Sequence, residues 1–265
     1  MLHSLARQLP QIASQGLSED QIYRQERLHE RIADGDGTGH QDRTGVLQCP
    51  ICGTQARRFL PFGLVGRRNA RCPGCGSVER HRFLWWYIST ATRLLHQRLS
   101  VLHTAPEVCL ETRLRRLPNW RYTSVDRFDP AADLQADLRC LPLPTGSQDL
   151  ILTSHTLEHI PDDRAAMSEL GRVTRPGGLA LVMVPFDPKL PNSLEDPAND
   201  TPAKRMTAYG HPYHYRIYGA DLIARLSEAC FEPTVVESKR WLSAHHRRQY
   251  RINRNHLLVC RRRRY

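Results

Sequence analysis

Residues 120–130 read WRYTSVDRFDP, residues 134–144 LQADLRCLPLP, and residues 149–185 DLILTSHTLEHIPDDRAAMSELGRVTRPGGLALVMVP. Three short apolar runs, at 122–125, 150–152 and 179–184, alternate with polar or helix-patterned segments. Such alternation reads as parallel strands joined by crossovers. The first run ends in Asp126, the second in Ser154 and His155. Ligands of open α/β sheets bind beyond the carboxyl ends of the strands, so these endings are where a site is expected. The stretch predicts an α/β sheet with a nucleotide-like ligand.

Working outward, SVLHTAP (100–106) reads as the strand before this stretch and EVCLETRLRRL (107–117) as its helix. AADLQADLRCLPLP (131–144) reads as a third strand, then a loop with Asp137 before Leu138. In 161–178, Ala166, Leu170 and Val173 make one helical stripe, and Pro176-Gly177-Gly178 is expected to stop that helix. Residues 186–217 interrupt the alternation with a proline-rich, polar stretch ending in Gly210-His211-Pro212-Tyr213-His214-Tyr215-Arg216. The pattern resumes with a helix at 220–231, striped at Leu222, Leu226 and Cys230, and two strands, PTVVES (233–238) and HLLVCRR (256–262).

Upstream lies the most specific local motif. Cys49-Pro50-Ile51-Cys52-Gly53 is followed, nineteen residues on, by Cys72-Pro73-Gly74-Cys75-Gly76. A two-residue gap lets both thiolates of a pair face one ion, and the following glycine permits the tight turn behind it. Two pairs at this separation predict a ribbon with one zinc on Cys49, Cys52, Cys72 and Cys75, with 57–64 as its short strand pair. Four thiolates leave no open position, so the metal is expected to be structural. The helix pattern after the ribbon places Phe83, Leu84, Tyr87, Ile88, Ala91, Leu94 and Leu95 on one face. At its start stand Glu79, Arg80, His81 and Arg82. These read either as an ordinary charged first turn or as placing His81 and Arg82 against a substrate at a cleft between two modules.

The chain has 265 residues and a formal net charge of +11. That length suits one full domain and a smaller module. Three organisational segments are expected: an N-terminal arm at 1–45, the ribbon with its linking helix at 46–98, and the α/β domain at 99–265. Within the arm, Ser18-Glu19-Asp20-Gln21 resembles a capping box that opens a helix. All but three of the 38 basic residues are arginine, spread along the chain apart from 247–254 and the last few positions. That spread favours a solvated surface over a nucleic-acid track. No apolar run reaches eighteen residues, so no membrane span is expected. The cysteine pairs and the start of the chain suggest a cytoplasmic, metal-binding protein.

The order and endings of the strands resemble the class I S-adenosylmethionine-dependent methyltransferases with a methyltransferase-11-like domain. The resemblance covers 100–262 and rests on DLILTSHTLEHIPD (149–162) and ELGRVTRPGGLALVMVP (169–185). It implies a Rossmann-like sheet of seven strands with the last antiparallel. It also implies that Asp126 holds the ribose hydroxyls of S-adenosylmethionine, that Asp137 takes the adenine amine and that Leu138 covers the ring. Ser154 and His155 would lie beside the methionine part, with Glu158 and His159 near the reacting methyl. The usual acidic residue and Gly-x-Gly loop after the first strand are replaced by Leu102-His103-Thr104-Ala105-Pro106-Glu107, with no glycine. Thr104 and Ala105 would then line the cofactor, and Glu107 would meet its ammonium group or cap the helix. This His-x-Ala-Pro-Glu form, joined to a paired-cysteine ribbon, resembles a bacterial subset of the class.

The function expected is methyl transfer to an oxygen, nitrogen or sulfur nucleophile of a small-molecule metabolite. His159, and second His214, are the candidate bases. Residues 186–217 are expected to cap the substrate, with Tyr213 and Tyr215 as walls and Arg216 for a substrate anion. An RNA methyltransferase using the ribbon and basic tail, and a non-catalytic scaffold, are the alternatives. No run of aromatic residues is interleaved with the basic ones to stack bases.

Overall fold

A computed structural model describes residues 46–63 and 66–264. The helix expected from Ser18 lies outside the described residues. The chain divides into two compact units.

The first unit holds the described chain up to Gln97 together with Glu107–Leu117 and Glu237–Asn255. Its ribbon is two antiparallel hairpins, β1 (Leu47–Gln48) with β2 (Gln55–Ala56) and β3 (Leu60–Phe62) with β4 (Arg67–Arg71). The predicted strand pair at 57–64 is therefore only partly right, since β3 pairs forward with β4. Gly53 and Gly76, both at φ above +70°, close the cysteine turns by donating to the carbonyls of Cys49 and Cys72. The helix after the ribbon is shorter than its stripe suggests. α1 (Glu79–Trp86) gives way to a wider turn at Tyr87–Ala91 and a tight one at Leu94–His96. The unit gains α2 (Val108–Leu114) and two short helices, Ser238–Trp241 and Ala244–Gln249.

The second unit is a seven-stranded sheet. Its strands are β5 (Leu99–Thr104), β6 (Trp120–Asp126), β7 (Leu134–Gln135), β8 (Gln148–Ser154), β9 (Thr174–Met183), β10 (Phe231–Glu237) and β11 (His256–Arg262), in the order β10-β11-β9-β8-β5-β6-β7. β5, β6, β7, β8 and β9 run parallel where they pair, and β11 is antiparallel to β9. The sheet has the seven strands and the antiparallel last strand that the resemblance implies. The predicted third strand shrinks to the two residues of β7. Pro176-Gly177-Gly178 does not end a helix. α3 (Asp163–Val173) has already stopped, and the tripeptide bulges out of β9, where the register shifts between Gln148↔Thr174 and Leu150↔Leu179. Proline cannot donate to a ladder and Gly177 sits at φ +76°, which suits a bulge.

α3 is capped by Asp162, whose carboxylate accepts from the Ala165 amide at 3.0 Å. Its stripe Ala166, Leu170, Val173 is buried as predicted, with Leu102, Ile151, Val182, Leu226 and Leu258 in the same core. Gly171 lets α3 come close to the carbonyl of Ala229, after α5 (Leu222–Glu228), where a side chain would collide. Residues 186–217 are not a structureless loop. They contain α4 (Pro202–Tyr209), started by the Thr201 cap with Pro202 in the first turn and ended by left-handed Gly210.

Candidate functional site

Register aligns the strand ends. Thr104 lies opposite both Val125 and Thr153, and Ser154 opposite Met183. The residues just beyond, Ala105, Asp126 and His155, therefore share one edge of the sheet, the edge where ligands of such sheets bind. Two of them have strained backbones: Ala105 is at φ +43° and His155 at φ +52°. A left-handed alanine costs about 1–2 kcal/mol. Ala105 thus makes, at that cost, the turn for which a glycine would be the ordinary choice, and its amide is fixed to the Val125 carbonyl at 2.8 Å. The Thr104 hydroxyl is 3.4 Å from that of Thr156.

Asp126 is buried, and its Oδ1 accepts from the amides of Phe128 (2.8 Å) and Asp129 (3.0 Å). Those two bonds orient the carboxylate as hydroxyl recognition requires. Asp137 is held differently. Arg139 binds it through Nε at 3.0 Å and Nη2 at 2.7 Å, and Arg127 lies at 3.5 Å. The Arg139 hydrogen bond holds its carboxyl below the usual range. An adenine amine would share that carboxylate with Arg139. Leu138 and Ser154 are both buried, Leu138 within the core.

Glu158 has no exposed surface. His155 Nδ1 lies 2.9 Å from its Oε1, and His214 Nε2 lies 4.0 Å from the same oxygen. Burial alone would raise its pKa, but the imidazoles of His155, His159 and His214 outweigh that and pull it down to about 2. Next to it, His159, His211 and His214 form a cluster whose candidate ligating atoms all lie within 4.8 Å of one another. The ring centroids of His159 and His214 are 4.7 Å apart, those of His211 and His214 4.3 Å. Burial first, then the neighbouring His214 and His159, lowers the pKa of His211 to about 3. The structure thus brings both predicted bases together and adds His211, which the sequence reading left without a role. Its i, i+3 spacing from His214 was the available signal.

Arg216 corrects an expectation. Its side chain is buried and spent on the protein: Nε binds Glu195 at 2.8 Å, Nη1 the Ile160 carbonyl and Nη2 the Pro161 carbonyl, each at 2.6 Å. A guanidinium so engaged has little left for a substrate anion. It belongs to a network with Asp163, Glu195, Tyr218, Asp221 and Arg225, in which Arg225 reaches Asp163 at 3.1 Å and the Tyr218 hydroxyl donates to Asp163 at 2.9 Å. No sequence motif announces that network. Tyr215 stacks under the Arg205 guanidinium at 4.0 Å, and Tyr213 lies edge-on to His211 at 5.8 Å.

In the other unit, Arg82 is likewise buried. It donates to the carbonyls of Ala70 (3.0 Å), Ser77, Tyr250 (2.7 Å) and Arg251 (2.8 Å), so it staples the unit and is not presented to a substrate. His81 accepts from the Val78 amide, and its other nitrogen is 3.3 Å from Glu107. Glu107 occupies the cap position of α2 without a side-chain cap bond, and its carboxylate lies beside the His81 imidazole. Cys109 Sγ lies 3.4 Å from His81 Nδ1.

The four ribbon cysteines gather as predicted. The Sγ atoms of Cys49 and Cys75, and of Cys52 and Cys72, are 3.7 Å apart. Tetrahedral zinc with bonds of about 2.3 Å needs sulfurs about 3.8 Å apart, so the donor set fits that ion.

The family model described as a methyltransferase domain matches residues 102–182. A probable S-adenosylmethionine-dependent methyltransferase of Mycolicibacterium smegmatis is 35% identical over 106 residues, 39% of this chain and 36% of that protein. A malonyl-[acyl-carrier protein] O-methyltransferase of Laribacter hongkongensis is 30% identical over 142 residues, 53% of this chain and 44% of the relative. The chain thus spans less than half the length of these curated relatives. Among solved structures, a Burkholderia thailandensis 1,6-didemethyltoxoflavin-N1-methyltransferase aligns with a TM-score of 0.45 at 16% identity, over 69% of this chain and 82% of that one. That likeness is too low to carry an argument about the site. Among the described residues, no helix is long and apolar enough to cross a membrane.

Proposed function

We propose that this chain transfers a methyl group from S-adenosylmethionine to an oxygen, nitrogen or sulfur nucleophile of a small-molecule metabolite. The observation that carries the reading is the shared edge of β5, β6 and β8. There Ala105, Asp126 and His155 end adjacent strands inside or beside the segment that matches the methyltransferase domain. When bound, the cofactor supplies an electrophilic methyl on a sulfonium. Asp126, already oriented by two amides, would hold the ribose hydroxyls, and Leu138 and Asp137 the adenine. Thr104, Ala105, Ser154 and His155 would border the rest.

The protein's remaining work is to place the nucleophile, exclude water and accept a proton. His159 and His214 suit the last task. They stand beside the buried Glu158 carboxylate, which stabilises a neighbouring imidazolium. Tyr213 and Tyr215 would wall the substrate. Zinc on Cys49, Cys52, Cys72 and Cys75 would hold the ribbon and take no part in chemistry.

Calorimetric titration of the full chain with S-adenosylmethionine tests the cofactor reading. Asp126→Ala removes two charge-assisted hydrogen bonds worth about 1.5–3 kcal/mol each. Binding should therefore weaken at least a hundredfold. Wild-type protein that binds no cofactor, or an Asp126→Ala variant of unchanged affinity, overturns the assignment.

A further inference from the structure

We propose that His159, His211 and His214 form a three-imidazole site for a divalent transition-metal ion of the zinc class, with Glu158 as its buried counter-charge. The inference stands on geometry alone and does not depend on methyl transfer. It is also separate from the cysteine site, which uses other residues in the other unit.

Three observations carry it. The first is convergence. One nitrogen from each ring lies within 4.8 Å of the other two, and all three residues are half-buried. Tetrahedral ligation at about 2.0–2.1 Å needs nitrogens about 3.4 Å apart, so the rings must close by up to about 1.4 Å, within reach of small side-chain rotations. Three neutral imidazoles are a donor set that suits zinc and its first-row neighbours.

The second is the carboxylate. Glu158 is fully buried, and its side chain faces imidazoles, His155 at 2.9 Å and His214 at 4.0 Å. Of these two only His214 belongs to the ligand set, and closing its 4.0 Å approach into a hydrogen bond would give the carboxylate–histidine pairing usual behind metal ligands. A carboxylate with no exposed surface also favours positive charge close by. A divalent ion provides it.

The third is preorganisation. His159 ends the turn Leu157–His159, and His211 and His214 follow the left-handed Gly210 that ends α4. The two pieces are tied by the Tyr215 amide, which donates to the Glu158 carbonyl at 2.8 Å, and by Arg216 on the carbonyls of Ile160 and Pro161. The buried Arg216, Arg225, Asp163 and Glu195 network thereby acquires a purpose, since it holds the ligands in place. At least one local bond must yield. The Tyr213 amide donates to His211 Nδ1 at 3.2 Å, the long end of the normal range, and an ion ligated there would replace it.

Three protein ligands leave a coordination position open to water or to an oxygen, nitrogen or sulfur donor of a substrate. With the ion bound, the imidazoles are ligands and no longer bases. The ion would lower the pKa of a coordinated nucleophile, so that its proton leaves to bulk water and no histidine base is needed in the metal-bound form.

The test is metal content of the full chain after incubation with excess zinc and desalting, read by elemental analysis. It compares wild type with His211→Phe and His214→Phe, which keep a ring in each position. Cobalt substitution reports the cysteine site independently through its thiolate charge-transfer absorption. We expect each variant to bind one ion fewer than wild type with the thiolate absorption intact. In competition with a chromophoric chelator, Glu158→Gln should weaken the histidine site 10–100-fold. Equal metal content in wild type and both variants overturns the proposal. If either variant fails to fold by circular dichroism, His159→Asn decides the same question. Cofactor affinity, measured in parallel on His211→Phe, which alters a residue with no part in the methyltransferase reading, should be unchanged, so failure here is distinct from failure of that reading.

Discussion

The ribbon cysteines and the histidines beside Glu158 are both convergent sets of ligating atoms, yet they are built in opposite ways. The cysteines come from two nearly identical turns, each closed by a glycine amide onto the carbonyl of the first cysteine. Their four sulfurs satisfy a tetrahedron among themselves. The histidines come from a turn after β8 and from the end of α4, held together by buried arginines. Their three nitrogens leave one side open. A closed set stabilises its own fold, whereas an open set depends on a fold stabilised elsewhere. One group should therefore behave as structure and the other as a site.

The sharpest way to break this contrast is Cys72→Ser. A structural zinc contributes on the order of 10–16 kcal/mol of apparent binding energy to small domains. The variant should lose its metal and the ordered ribbon together, seen as protease sensitivity of the first unit and a loss of cooperative melting. A ribbon that stays folded without metal would make the two sets alike after all.

Next in size is Arg216→Ala. It leaves Asp163 and Glu195 short of a partner and strips the Ile160 and Pro161 carbonyls of their donors. Removing one member of a buried ion network costs about 3–5 kcal/mol, so the denaturation midpoint should fall clearly. If the variant instead keeps its stability and loses only turnover, Arg216 contacts substrate and the support of the histidine set lies elsewhere.

The smallest effect is a pH dependence. His211 is held neutral by burial, with a pKa near 3 against an ordinary 6.5. Between those values the unfolded chain binds the extra proton, so stability present at neutral pH is lost as pH falls below 6.5. At pH 5.5 that loss is up to about 1 kcal/mol relative to pH 7. His211→Phe should flatten this limb in urea titrations. Equal slopes for variant and wild type would mean that burial does not hold His211 neutral.

Much of this was legible beforehand. The paired cysteines were readable because their contacts are local, and the strands because their apolar runs were bounded by turn residues. The buried stripe of α3 followed from period alone. Other features were not. Pro176-Gly177-Gly178 carries a stop signal for a helix, but the ladder with β8 absorbs it as a bulge. Arg82 and Arg216 read as surface or substrate arginines because nothing local shows that eight main-chain and carboxylate contacts await them after folding. Ala105 in place of a glycine was visible; its left-handed backbone was not.

What the sequence determined by itself was the α/β class, the cysteine ribbon and the strand endings Asp126 and Ser154-His155. Each depends on periodicity or spacing within a few residues, and the backbone's narrow conformational choice makes such patterns decisive. Only the tertiary structure decided which polar residues would lose their water. It buried Glu158 among imidazoles, drew His211 and His214 to His159, and spent Arg216 on holding them there. Those outcomes depend on distances between segments far apart in the chain, and the cost of burying a charge is settled only when its partners arrive.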